Sequence, residues 1–126
     1  MNSAKILSGQ AFLKYEKPKK LIFMLHGYGD SAENFIHITS SLGNMNIKAN
    51  YFALNAPSTI PNYSLGRQWF DLYPNGTYID DAGPKELEII KSEILKANEM
   101  LENTIKEKIN KYNLSYKDCF LLGFSQ

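Results

Sequence analysis

The chain has 126 residues, of which 44% are hydrophobic and 21% charged, and its formal net charge is +1. That balance fits one ordinary globular domain and excludes a disordered tail, a collagenous repeat and a disulfide-dense miniprotein. A charge so near zero also argues against a nucleic-acid binder, whose affinity depends on a basic face.

Residues 1–14 hold no apolar stretch long enough for a signal sequence, and no window approaches the ~18 apolar residues of a membrane span. Ala11 to Tyr15 reads as a short strand, ended by Glu16-Lys17-Pro18-Lys19-Lys20. Leu21 to Leu25 is a continuous apolar run, which suits a strand buried on both faces. His26-Gly27-Tyr28-Gly29-Asp30 follows as a tight loop. A helix is predicted to begin near Ser31 to Glu33, to carry Phe35, Ile36 and Leu42, and to end at Gly43. Asn50 to Leu54 is the next strand. Pro57 to Gly83, rich in Pro, Gly, Asn and Asp, reads as a long loop. Its aromatics Tyr63, Trp69, Phe70 and Tyr73 mark it as ordered and functional.

Pro84 then opens a long helix of about 25 residues, nearly 40 Å at 1.5 Å per residue. Leu87, Ile90, Ile94, Ala97, Leu101, Ile105 and Ile109 form its buried stripe, and the Glu and Lys between them form a solvated face. Asp118 to Leu122 is the last strand. The single cysteine, Cys119, lies in it and reads as a small buried core residue. One cysteine without a partner suits a reducing compartment, so a cytoplasmic location is expected. Alternating strands and helices with apolar strands predict an α/β fold on a mainly parallel sheet with flanking helices. Ligands bind such sheets at the carboxyl ends of the strands. The loops at His26 to Asp30 and from Gly123 onward both fall there.

Leu122-Gly123-Phe124-Ser125-Gln126, after a strand, supplies the first four positions of G-x-S-x-G, the turn that exposes a nucleophilic serine. Gly123 is expected to be glycine because a side chain would crowd that turn. Acyl transfer also needs two N–H donors for the tetrahedral oxyanion. The residue after the serine, Gln126, offers one. The loop after an earlier strand offers the other, with Tyr28 as the natural donor and Gly27 and Gly29 allowing close approach. His26 reads as a residue that shapes this loop, and His37, within a helix, as structural.

Four blocks now fall in order: Phe23-Met24-Leu25-His26-Gly27-Tyr28-Gly29-Asp30, Leu54-Asn55-Ala56-Pro57, Gly66-Arg67-Gln68-Trp69-Phe70-Asp71 and Leu122-Gly123-Phe124-Ser125-Gln126. Together they resemble the phospholipase/carboxylesterase family, which includes bacterial carboxylesterases and acyl-protein thioesterases within the α/β-hydrolase fold. The resemblance implies Ser125 as nucleophile, an oxyanion hole from the N–H groups of Tyr28 and Gln126, and Trp69 and Phe70 at the substrate pocket. It implies hydrolysis of small acyl esters or thioesters with no cofactor and no metal.

Members of that family are about twice this length, as a full α/β domain requires. Their acid and base follow the serine, in the order Ser, Asp or Glu, His. His26, His37 and Asp71 all precede Ser125, at positions the family does not use. Residues 1–126 are therefore expected to be the N-terminal portion of one α/β-hydrolase domain, ending at the nucleophile turn and inactive alone. Two other readings compete. The chain could be an interaction module that pairs its open sheet edge with a complementing C-terminal chain or with itself. Gly27-Tyr28-Gly29-Asp30-Ser31-Ala32 also fits the G-x-G-x-x-G/A dinucleotide pattern, but Asn55-Ala56-Pro57 stands where an acidic residue is needed.

Overall fold

The computed structural model describes residues 5–42 and 47–124. Its strands, in chain order, are β1 (Gly9–Phe12), β2 (Lys20–Leu25), β3 (Ala49–Leu54), β4 (Ser58–Ile60), β5 (Tyr63–Gln68) and β6 (Cys119–Gly123). Four of them form one sheet in the order β1-β3-β2-β6. The apolar run of β2 has no face to offer solvent, and it lies inside the sheet, parallel to β3 on one side and to β6 on the other. β1 is antiparallel to β3. The sheet is mainly parallel, as the alternation of elements predicts.

Successive β2 residues point to opposite faces and so build two cores. Leu21 and Phe23 meet Phe52, Leu54, Trp69, Ala97, Ile105 and Ile109, beneath α3 (Pro84–Tyr112). Ile22 and Met24 meet Ala32, Tyr51 and Ala53 on the other face. Pro84 opens α3, where its missing N–H is no loss. Asn113 closes the helix in the left-handed conformation, at φ 56. Over its 29 residues α3 runs about 43 Å. Of the predicted stripe, Ile90, Ala97, Ile105 and Ile109 are buried, whereas Leu87 and Ile94 are 54% and 45% exposed. Ile90 lies between these two and is buried, and Ile94 faces the open cleft shared with Leu25, Trp69 and Phe70.

Several boundaries differ from expectation. The first strand lies at Gly9–Phe12, because beyond it the chain bonds a side chain instead of a ladder. The Lys14 and Tyr15 N–H groups both donate to Oδ1 of buried Asn50, and Asn50 Nδ2 donates to the Tyr15 carbonyl. The helix after Ser31 is interrupted: α1 (Ala32–Phe35) passes through a 3₁₀ turn, Ile36–Ile38, into α2 (Thr39–Leu42). There the Thr39 and Ser40 hydroxyls donate to the Ile36 and His37 carbonyls, the local bonding that makes these residues poor helix interiors. Its predicted end at Gly43 lies outside the described residues.

The segment Pro57–Gly83 is not a loop throughout. β4 and β5 pair as an antiparallel hairpin around Pro61 and Asn62, with Asn62 at φ 63, and two 3₁₀ turns follow. Asp118 belongs to a 3₁₀ turn capped by Ser115, so the last strand begins at Cys119. Cys119 is half-buried instead of buried, because β6 is an edge strand. Desolvation raises its thiol pKa, and Asp118 adds to the shift, which disfavours the thiolate. Among the described residues, no helix is long and apolar enough to cross a membrane.

Candidate active site

The site is built where β2 and β6 end side by side. Leu25 stands opposite Gly123, and the Phe124 N–H donates to the Leu25 carbonyl at 3.2 Å. The chain is therefore still paired to β2 at the residue before Ser125. Ser125 and Gln126 themselves lie outside the described residues. A Cβ built on Gly123 would meet no atom within 4 Å, so the crowding expected there does not arise among the described residues.

The His26–Asp30 loop leaves β2 at this same end. His26 is 1% exposed. Its Nε2 accepts from the Ala56 N–H at 3.0 Å, which requires the proton on Nδ1, 2.7 Å from the Gly27 carbonyl. Burial holds the imidazole pKa below its ordinary value, outweighing the Gly27 bond and the Asp30 charge that favour the proton. Gly29 turns the loop at φ +84, a conformation that L side chains rarely adopt. The Asp30 N–H donates to the Gly27 carbonyl and the Gly29 N–H to the Arg67 carbonyl. The Tyr28 N–H has no acceptor among the described residues.

β5 holds this loop from outside. Besides accepting from Gly29, Arg67 donates its own N–H to the Asp30 carbonyl at 3.0 Å. The approach is so close that a Cβ on Gly66 would collide with the Gly29 carbonyl. Trp69, buried just beyond β5, donates its indole N–H to the His26 carbonyl at 2.7 Å. Trp69 and Phe70, with Leu25, Ile94, Ala97, Asn98 and Leu101, line a mostly apolar open cleft of about 220 Å³. Glu93 on α3 fixes the following peptide by accepting from the Asp71 N–H at 2.6 Å.

The structure thus brings His26, Gly27, Tyr28, Gly29, Trp69, Phe70 and Gly123 to one end of the sheet. His37 is elsewhere, beside Ala11 and Phe12 of β1, at the edge opposite β6. The geometry gives the dinucleotide reading no support. Asn55 uses its side chain to accept from the Ala32 N–H and to donate to Ser8, and α1 has only four residues. Among the described residues no three His, Cys, Asp or Glu side chains are grouped to hold a metal ion. Sequence reasoning assigned no role to Gly66, Arg67 or Glu93. One signal was available for Arg67, the only arginine in a lysine-rich chain.

Residues 10–126 match the model of the phospholipase/carboxylesterase family. The chain is 31% identical over 114 residues to acyl-protein thioesterase 1 of Candida albicans, a stretch that is 86% of this chain and 46% of that protein. Among solved structures, that of esterase PE8 shares the fold with a TM-score of 0.76 at 24% identity, over 96% of this chain and 53% of that one. The chain spans about half the length of these relatives. With the sheet order, the paired ends of β2 and β6 and the family match over nearly its whole length, this chain belongs to the phospholipase/carboxylesterase family.

Proposed function

We propose that the chain contributes the nucleophile and oxyanion donors of a hydrolase acting on small acyl esters or thioesters. Ser125 is the nucleophile, and the N–H groups of Tyr28 and Gln126 receive the oxyanion. One observation carries this reading: Phe124, next to the serine, is bonded to Leu25, next to the His26–Asp30 loop. In that loop the Tyr28 amide has no acceptor among the described residues, while its neighbours Gly29 and Asp30 have one each. Trp69 and Phe70 belong to the substrate pocket, and the indole also buttresses the loop through His26. His26, Gly27, Gly29 and Gly123 shape the backbone.

In this mechanism Ser125 Oγ attacks the acyl carbon and the two N–H groups stabilise the developing oxyanion. The alcohol or thiol then leaves with a proton, and water hydrolyses the acyl-enzyme. The hydroxyl needs a base, and neither histidine fits that role. Both ring nitrogens of His26 are engaged, and His37 stands at the far edge of the sheet. We assign the base and its acid to residues outside these 126, in the family's order. The chemistry calls for no cofactor, and the lone cysteine favours a reducing cytosol.

Turnover of p-nitrophenyl acetate tests this, first by the 126-residue chain and then by the chain completed with the C-terminal part of a family member. The chain alone is expected to show none above background. The completed enzyme is expected to show turnover that Ser125→Ala abolishes. Turnover by the chain alone that is lost in Ser125→Ala would place the base within it, and completed-enzyme turnover surviving that change would remove the serine from its role. A second reading, an interaction module pairing through β6, is favoured by the exposure of Phe120, Leu121 and Phe124 along that edge.

A further inference from the structure

We propose that Arg67 is a positioning residue for the Tyr28 N–H, holding the oxyanion loop through a strap made by β5; this rests on the reading of Tyr28 as an oxyanion donor. Three segments meet at the carboxyl end of the sheet: His26–Asp30, Ala56–Pro57 and Gly66–Trp69. Arg67 bonds to both of the others. Its guanidinium donates from Nε to the Ala56 carbonyl at 2.5 Å and from Nη2 to the Pro57 carbonyl at 3.1 Å. Its backbone accepts from the Gly29 N–H and donates to the Asp30 carbonyl. Gly66 lets the strap lie against Gly29 with no room for a side chain.

The two carbonyls gripped by the guanidinium belong to consecutive residues. A planar fork of donors suits such a pair, and a lysine, with one compact ammonium, does not reproduce it. The Ala56 peptide is itself fixed on its other side, where its N–H meets His26 Nε2. The strap is thus anchored to the segment after β3 by its side chain and to the oxyanion loop by its backbone. The Tyr28 amide lies inside the turn so held. An oxyanion donor works over a narrow range, about 2.7–3.1 Å from the developing charge. Loosening the strap therefore weakens binding of the transition state and leaves binding of the ground-state ester nearly unchanged.

Two measurements on Arg67→Met and Arg67→Lys test this. Amide hydrogen exchange in the 126-residue chain reads the strap without needing catalysis. In Arg67→Met the Gly29 and Arg67 amides are expected to exchange at least about 10-fold faster, while those of Phe23 and Phe52 keep their rates. Arg67→Lys is expected to fall between. Unchanged exchange at Gly29, or equal acceleration of all four amides, would overturn the proposal. The second measurement is steady-state kinetics of the completed enzyme described above. There Arg67→Met is expected to lower kcat by about 10–100-fold with KM within about two-fold. A loop loosened by exchange with kcat intact would instead overturn the reading of Tyr28 as donor, so the two failures are distinct.

Discussion

His26 is 1% exposed with both ring nitrogens hydrogen-bonded, so a proton added at Nε2 would abolish the bond from the Ala56 N–H. Burial already holds its pKa below the ordinary 6.5. The folded state therefore refuses a proton that the unfolded chain accepts. The stability from His26 is complete above about pH 6.5 and is lost as pH falls through the lower, folded-state pKa. Melting temperature measured between about pH 7.5 and 5 should fall in the wild type and fall less in His26→Gln; parallel curves would count against the assignment. Glycines at this end of the sheet divide in the same physical way. Gly66→Ala drives a Cβ into the Gly29 carbonyl and is expected to destabilise by about 1–3 kcal/mol. Gly123→Ala meets nothing within 4 Å among the described residues and is expected to stay within about ±0.5 kcal/mol. Urea unfolding of the two variants checks the contrast, and equal losses would refute it. Sequence showed that glycines cluster here, but not which one faces a backbone, because Gly29 and Gly66 approach each other only through the hairpin.

Elements with a strong period were legible, and those defined by a single side chain were not. The apolar run of β2 marks a buried strand directly, and the stripe of α3 marks a buried face at Ile90, Ala97, Ile105 and Ile109, though not at Leu87 and Ile94. β1 was displaced because one buried amide, Asn50, captures the chain at Lys14 and Tyr15. Nothing in the residue name Asn distinguishes such a role from a surface position. The β4–β5 hairpin was hidden because Tyr63–Gln68 is exposed over half its length and so shows no clean alternation. Asn50→Leu would remove three hydrogen bonds and leave two backbone donors and one acceptor to find other partners. A loss of about 2–4 kcal/mol is expected in urea unfolding, at the upper end for single substitutions. A change below about 0.5 kcal/mol would mean that the chain at Lys14 and Tyr15 is held by something other than Asn50.

At the scale of the whole molecule, the sheet has two edge strands, β1 and β6, and all four residues of β1 are themselves exposed. β1 covers the β3 side, but β6 presents its outer ladder with Phe120 and Leu121 51% and 58% exposed. Alternation puts Leu121 on the α3 face and Phe120 on the other, so the apolar surface is open on both sides of the strand. The motifs that carry the family resemblance sit at the carboxyl ends of β2, β3, β5 and β6, which made half of the candidate site legible. A base and acid for the proposed nucleophile were not: among the described residues both ring nitrogens of His26 are engaged and His37 lies at the far edge of the sheet. An unpaired apolar edge of this kind favours association with a further strand. The 126-residue chain is accordingly expected to self-associate in the range of about 10–100 µM, a concentration at which exposed edges aggregate. Leu121→Lys, which puts a charge on the edge at a residue 58% exposed, should shift the sedimentation profile towards monomer. Adding the C-terminal part of a family member should do the same by covering β6. A monomer at every concentration for the unmodified chain would show that the edge is already protected, and would remove the main support for pairing through β6.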